Sequence, residues 1–102
     1  AERVLAEHPD LDGLFVANDL MAVTALGVVQ RSGRRVPEDV RIVGFDDAAI
    51  AQQCSPQLTT MTNPAAEHTR LAAEMLIELL AGGVPESPMR LKPSRLVVRG
   101  SA

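Results

Sequence analysis

Apolar and polar positions alternate along this chain in a way that marks out short buried strands and amphipathic helices. Leu14-Phe15-Val16-Ala17 and Ile42-Val43-Gly44 are continuous apolar runs, the pattern of parallel strands covered on both faces. Between them, Leu20 to about Arg31 carries a helical repeat, with Asp19 as the expected N-cap and Gly33 just past the end. Strand, helix, strand at these lengths is a βαβ unit, which predicts two parallel strands with a right-handed crossover. Upstream, Ala1 to Glu7 reads as the last turns of another helix, ended by Pro9. Downstream, Val36-Pro37-Glu38-Asp39 is a turn and Val40 to Phe45 the strand it feeds. Asp46-Asp47 closes that strand, Ala48 to Gln53 forms a short helix, and Leu58 to Thr62 is β-branched and extended. Pro64 suits the first position of the longest helix, which runs to Ala81. Leu71, Ala72, Met75, Leu76, Leu79 and Leu80 form its stripe, and Gly82-Gly83 ends it. Pro85 and Pro88 mark a loop, and Leu91 to Arg99 reads as a final strand.

The helix after Asp19 is apolar on more than one side: Met21, Ala22, Val23, Ala25, Leu26, Val28 and Val29 exceed a single stripe. Two readings fit, a contact with another subunit or a helix sandwiched between layers of its own domain. The element order is roughly α-β-α-β-β-α-β. That is too little for a complete doubly wound domain, which wants five or more strands with helices on both faces. The expectation is therefore an incomplete α/β domain. Its first residue falls inside a helix, so the start reads as cut.

Composition narrows the function classes. With 46% apolar residues the chain can build a modest core and is too hydrophobic for intrinsic disorder. Phe15 and Phe45 are its only rings, so the core is aliphatic and no stacking platform for single-stranded nucleic acid exists. A formal net charge of −3 argues against a grip on a phosphate backbone. Arg34-Arg35 reads as a charged turn, and the excess of Arg over the single Lys92 as coding bias. One cysteine, Cys54, rules out an internal disulfide or a CxxC metal site. No apolar run reaches membrane-spanning length.

Candidate chemistry gathers at strand ends. In open parallel sheets, ligands sit beyond the carboxyl ends of the strands, and Asn18-Asp19, Asp46-Asp47 and Thr62-Asn63 all fall there. Short amides and carboxylates suit a polyhydroxylated ligand, because they match paired hydroxyls. Asp19 and Asp47 read as cap and turn formers. Asp46-Asp47 could instead hold magnesium, but such sites want a further carboxylate and a nearby Lys, and Lys92 lies far along the chain. His8 and His68 have no Ser or Cys arranged with them, Cys54 has no adjacent base, and the glycines compose no phosphate-binding loop. Nothing here points to an enzyme or to a cofactor.

Three segments taken together resemble one family. DGLFVANDLMAVTALGVVQRSGRRVPEDVRIVGFDD, SPQLTTMTNP and LKPSRLVVRGS look like the C-terminal stretch of LacI/GalR transcriptional regulators, and the likeness covers nearly the whole chain. The resemblance implies a fragment of a type I periplasmic-binding-protein-like fold, an α/β doubly wound parallel sheet in three αβα layers. Two such subdomains flank a ligand cleft and are joined by crossing strands. On that pattern, residues 1–59 belong to the C-terminal subdomain and 60–63 cross the hinge. Residues 64–90 are helix and loop of the other subdomain, and 91–102 contain the returning strand. It further implies effector contacts from Asn18 and Asp46 and a hinge position at Asn63, where many members carry the longer Gln. Met21, Val23, Thr24 and Cys54 would lie near a dimer partner. The implied parent is a cytoplasmic homodimer that senses a small molecule, of the sugar class, and reaches operator DNA through an N-terminal domain that these residues do not include. A sugar-binding protein of a transport system, which shares the fold and the cleft, is the alternative.

Overall fold

The computed structural model describes residues 1–84 and 92–102. The loop expected around Pro85 and Pro88, and Leu91 at the head of the expected last strand, lie outside them. Eight elements follow along the described chain: α1 (Glu2–Glu7), β1 (Gly13–Phe15), α2 (Asp19–Arg31), β2 (Arg41–Asp46), α3 (Ile50–Gln53), β3 (Thr59–Thr62), α4 (Ala65–Leu80) and β4 (Leu96–Val97). They divide into two compact units, residues 1–62 with 95–102, and residues 63–94.

In the first unit the strands lie side by side in sequence order. β1, β2 and β3 run parallel, as the βαβ reading requires, and β4 is antiparallel to β3. The α/β architecture read from the chain is thus present as a mostly parallel four-stranded sheet. Its core is aliphatic: Ala22, Leu26 and Val29 of α2 meet Ile42, Leu58, Val40, Val36 and Ala51, with Leu5 of α1 at the margin. Gly44 stands on the same face of β2 as Ile42, and a Cβ there would touch Ala22, so this face receives α2. Alternation puts Phe15, Val43, Phe45, Met61 and Leu96 on the other face, where Phe15 stays 69% exposed.

The last strand is shorter than its hydrophobic pattern predicts, for a reason visible in the hydrogen bonds. The Arg95 amide donates to the Thr62 hydroxyl (2.8 Å) and the Arg99 amide to the Thr59 hydroxyl (2.9 Å), so side chains of β3 take donors that a longer ladder would use. Pro93 adds no donor at all. Beyond β4 the chain closes a seam instead. Ser101 is fully buried; its hydroxyl donates to the Ile42 carbonyl (2.6 Å) and accepts from the Thr59 amide (2.8 Å), while its carbonyl accepts from the Ile42 amide (2.8 Å).

The second unit is α4 with the segment that returns from it. Pro64 sits one place outside the helix, at the N-cap, and not at the first helical position. No α4 residue is buried, and Leu76, Leu79 and Leu80 of the stripe are exposed. The His68 ring ties helix to return segment, its Nε2 accepting from the Lys92 amide at 2.9 Å. Among the described residues, no helix is long and apolar enough to cross a membrane.

Both arginines of the basic doublet are committed to the fold. Arg34 donates to the carbonyls of Pro9 (2.6 Å) and Leu11 (3.3 Å). Arg35 gives Asp39 hydrogen bonds from its guanidinium and its own amide. The guanidinium hydrogen bond first, then the amide, hold the Asp39 carboxyl down at about 2, against an ordinary value of 3.8. A carboxylate with a depressed folded-state value stabilises the fold above its unfolded value and loses that contribution as pH falls through the folded one. NMR titration is expected to place the Asp39 midpoint near 2, with the stabilising effect of this turn fading between about pH 4 and 2. In Arg35→Gln the midpoint should return toward 3.8.

Candidate functional site

The carboxyl ends of β1 and β2 are neighbours in a parallel pair, with Phe15 beside Val43. Three residues on from each lie Asn18 and Asp46, both half-exposed at the same end of the sheet. The strand order thus brings these two predicted site residues to one edge. Asn63 begins the second unit.

Asn18, and not Asp19, is the N-cap of α2. Its backbone is extended (φ −154, ψ 164) and its Oδ1 accepts from the Met21 amide at 2.9 Å. The other half of the amide, Nδ2, has no hydrogen-bond partner among the described residues and stays available as a donor.

Asp19 does something the capping expectation missed. It is the first residue of α2, only 1% exposed, and its carboxylate points into the unit. Oδ1 accepts from the Thr60 hydroxyl (2.5 Å) and Oδ2 from the Ala48 amide (2.7 Å). A buried carboxylate is costly unless its oxygens are satisfied, and both are. Gly44 makes room: a Cβ built there would lie 2.3 Å from Asp19 Oδ1 and 2.8 Å from Leu58 Cδ2. The signals in sequence were a glycine at the buried centre of β2 and a hydroxyl on β3, but their meaning depends on register, which pairs Gly44 with Thr60.

After β2 the backbone turns through two positive-φ residues, Asp46 (119°) and Asp47 (52°). Such conformations are unfavourable for side chains other than glycine and persist where surroundings hold them. The hold comes from both sides. Asp47 accepts from the Arg99 guanidinium at 2.7 Å, while Arg99 also reaches the Leu58 carbonyl at 3.0 Å. The next amide, that of Ala48, is the one fixed by Asp19. Asp47 is therefore a turn former as expected, and its carboxylate is committed to a guanidinium.

The remaining predicted positions lie on α2 and α3. Met21 is 54% exposed and its neighbour Leu20 66%. Together with Thr24 they line an open groove of about 680 Å³ that also touches Val4, Leu14 and Val28. Val23 and Cys54 are half-buried against the core, the Cys54 thiol donating to the Ala51 carbonyl (3.4 Å).

A family model, the periplasmic binding protein-like domain, matches residues 1–102. The chain belongs to that family. Members similar to it include the HTH-type transcriptional regulator CelR of Thermobifida fusca, 39% identical over 97% of this chain and 29% of its own length. The HTH-type transcriptional repressor CytR of Escherichia coli K12 is 40% identical over 86% of the chain and 26% of its own. Among solved structures, a CelR–cellobiose complex superposes with a TM-score of 0.91 at 38% identity, covering 99% of this chain and 31% of that one. A LacI-family regulator from Arthrobacter sp. FB24 in complex with lactose gives 0.79 at 44% identity, covering 97% and 38%. This periplasmic-binding-protein-like chain therefore spans about three-tenths of the length of the curated relatives it matches. The relatives are named as transcriptional regulators, and none of these names describes an enzyme.

The glycine under Asp19 yields a direct test of this packing. Gly44→Ala should destabilise the first unit by on the order of 2–3 kcal/mol in urea denaturation, since the added methyl collides with a satisfied carboxylate and with Leu58.

Proposed function

We propose that this chain is the effector-sensing and dimer-forming part of a LacI-type transcriptional regulator that responds to a small polyhydroxylated molecule of the sugar class. The observation that carries the reading is the shared edge of Asn18 and Asp46, at the carboxyl ends of adjacent parallel strands. Asn18 offers Nδ2 as donor while its Oδ1 caps the helix, and Asp46 carries a carboxylate at the end of the neighbouring strand. An amide donor and a carboxylate at neighbouring strand ends suit the vicinal hydroxyls of a sugar, each of which both donates and accepts. Asn63, the residue that follows β3, is proposed as a third contact. The names of the relatives support the ligand class, since CelR is held in complex with cellobiose and the Arthrobacter protein with lactose.

In this reading, operator DNA is contacted by a helix-turn-helix of the longer gene product, consistent with the names of the relatives and with a net charge of −3 here. The protein works in the cytoplasm, where operators are. Effector binding closes the cleft and shifts the two subunits of a dimer between states that differ in operator affinity, which requires only that the effector bind one state better.

Calorimetry on the complete gene product that carries these residues, titrated with cellobiose and with lactose, tests the site. Asn18→Ala and Asp46→Ala should each weaken binding by at least about ten-fold, the effect of losing a hydrogen bond that involves a charged or buried partner. Undiminished affinity in both variants would remove the site as read here.

The dimer contact is assigned to the exposed side of α2, with Met21 and Thr24 at its centre and Val23 and Cys54 behind them. Its support is the run of exposed Leu20 and Met21 along an apolar groove, on a helix whose opposite side already fills the core. A charge placed there should be rejected by a buried interface. Sedimentation of Met21→Glu is expected to show monomer at concentrations where the unaltered protein is dimeric; an unchanged dimer would move the interface elsewhere.

A further inference from the structure

The effector reading leaves one buried charged group without a role. Asp19 is almost wholly enclosed, and both of its oxygens are engaged by groups of the first unit itself. If only packing were at stake, an apolar residue beside Thr60 would fill the space, because burying a carboxylate costs several kilocalories before its partners offset it. What a carboxylate does that an apolar side chain cannot is hold two donors in fixed directions. Here the donors come from sequence-distant segments. The Thr60 hydroxyl belongs to β3, 41 residues on, and the Ala48 amide follows the strained Asp46-Asp47 bend, 29 residues on. Asp19 itself is bonded in sequence to Asn18.

We infer that Asp19 is a positioning residue of the effector site, acting with Thr60 to lock the Asn18 and Asp46 segments to β3. The inference rests on the reading of Asn18 and Asp46 as effector contacts. In each strand-end doublet the second member is tied within the first unit, Asp19 to Thr60 and Ala48, Asp47 to Arg99. β3 is the strand along which the chain leaves the first unit after Thr62, and Arg95 on the returning segment exchanges two hydrogen bonds with Thr62, each 2.8 Å. A displacement of β3 is thereby transmitted to the effector-binding edge through one hydroxyl and one carboxylate.

The test uses the complete gene product, with Thr60→Val to remove the hydroxyl at nearly constant volume and Thr60→Ser to keep it. Cellobiose and lactose are the probes, and hydrogen exchange is followed by mass spectrometry over residues 45–50 and, as a reference, over 1–12. Thr60→Val is expected to weaken disaccharide binding by about ten-fold and to speed exchange over 45–50 while 1–12 is unchanged. Thr60→Ser should restore both to within about two-fold, which a merely space-filling role for the position would not require. Wild-type affinity in Thr60→Val, or wild-type exchange over 45–50, overturns the proposal; if neither sugar binds the unaltered protein, the exchange comparison decides alone. Asp19→Asn, which turns one acceptor into a donor, provides a second variant with the same expected outcome. Loss of cooperative melting in both variants would make the carboxylate a requirement of the fold and overturn its positioning role. The two readings fail separately: normal binding in Asn18→Ala and Asp46→Ala removes the site, whereas weakened binding there with normal binding in Thr60→Val removes only the coupling.

Discussion

The first unit is organised around one buried carboxylate. Asp19 can be enclosed only because two donors reach it and because Gly44 contributes no side chain to the space it occupies. Those conditions constrain three segments together. They set how deeply α2 begins over β2, they require Thr60 to stand beside Gly44 in the β2–β3 register, and they fix the backbone just after the Asp46-Asp47 bend. A water-exposed polar group would tolerate slack in each of these. In a dry interior, an unmet bond costs about 1–3 kcal/mol, more for a charged group, so the three are held together.

The end of the described chain supplies a second fixed point of a different kind. Ser101 uses backbone and hydroxyl to join β2 to β3 at the opposite end of the pair from Asp46, and Arg99 reaches back to Asp47. The bend that carries Asp46 is therefore gripped from two directions, by a carboxylate beneath and a guanidinium beside it. Positive φ at consecutive non-glycine residues is sustained by such over-determination. Two small residues late in the sequence, Gly100 and Ser101, belong functionally to the same seam: a Cβ on Gly100 would press to 3.1 Å of Pro56.

Much of this was legible beforehand. Apolar runs and turn residues locate the four helices and the first three strands to within two residues, and the parallel β1–β2 pair follows from the length of its connection. The gathering of Asn18 and Asp46 at one edge followed too, because parallel strands bring their carboxyl ends together. What local pattern could not tell was which member of Asn18-Asp19 caps the helix. Both residue types are good caps, and the choice was made by a partner 41 residues away. The length of β4 escapes the pattern for the same reason: hydroxyls of Thr59 and Thr62, invisible to hydropathy, take the amides that would extend it.

The surplus apolar surface on α2 had two candidate explanations, a partner subunit or burial within its own domain, and the exposures divide the helix between them. Ala22, Ala25, Leu26 and Val29 are buried in the unit's own core, so much of the surplus is ordinary sandwiching. Val23 and Val28 lean on that core from its edges. Only Leu20 and Met21 are left as large apolar side chains facing out, one turn from the Asn18 cap. A partner seated on them would press on the same helical turn that Asn18 and Asp19 begin. Subunit contact and effector contact would then share a single rigid turn, so neither could shift without straining the buried carboxylate between them.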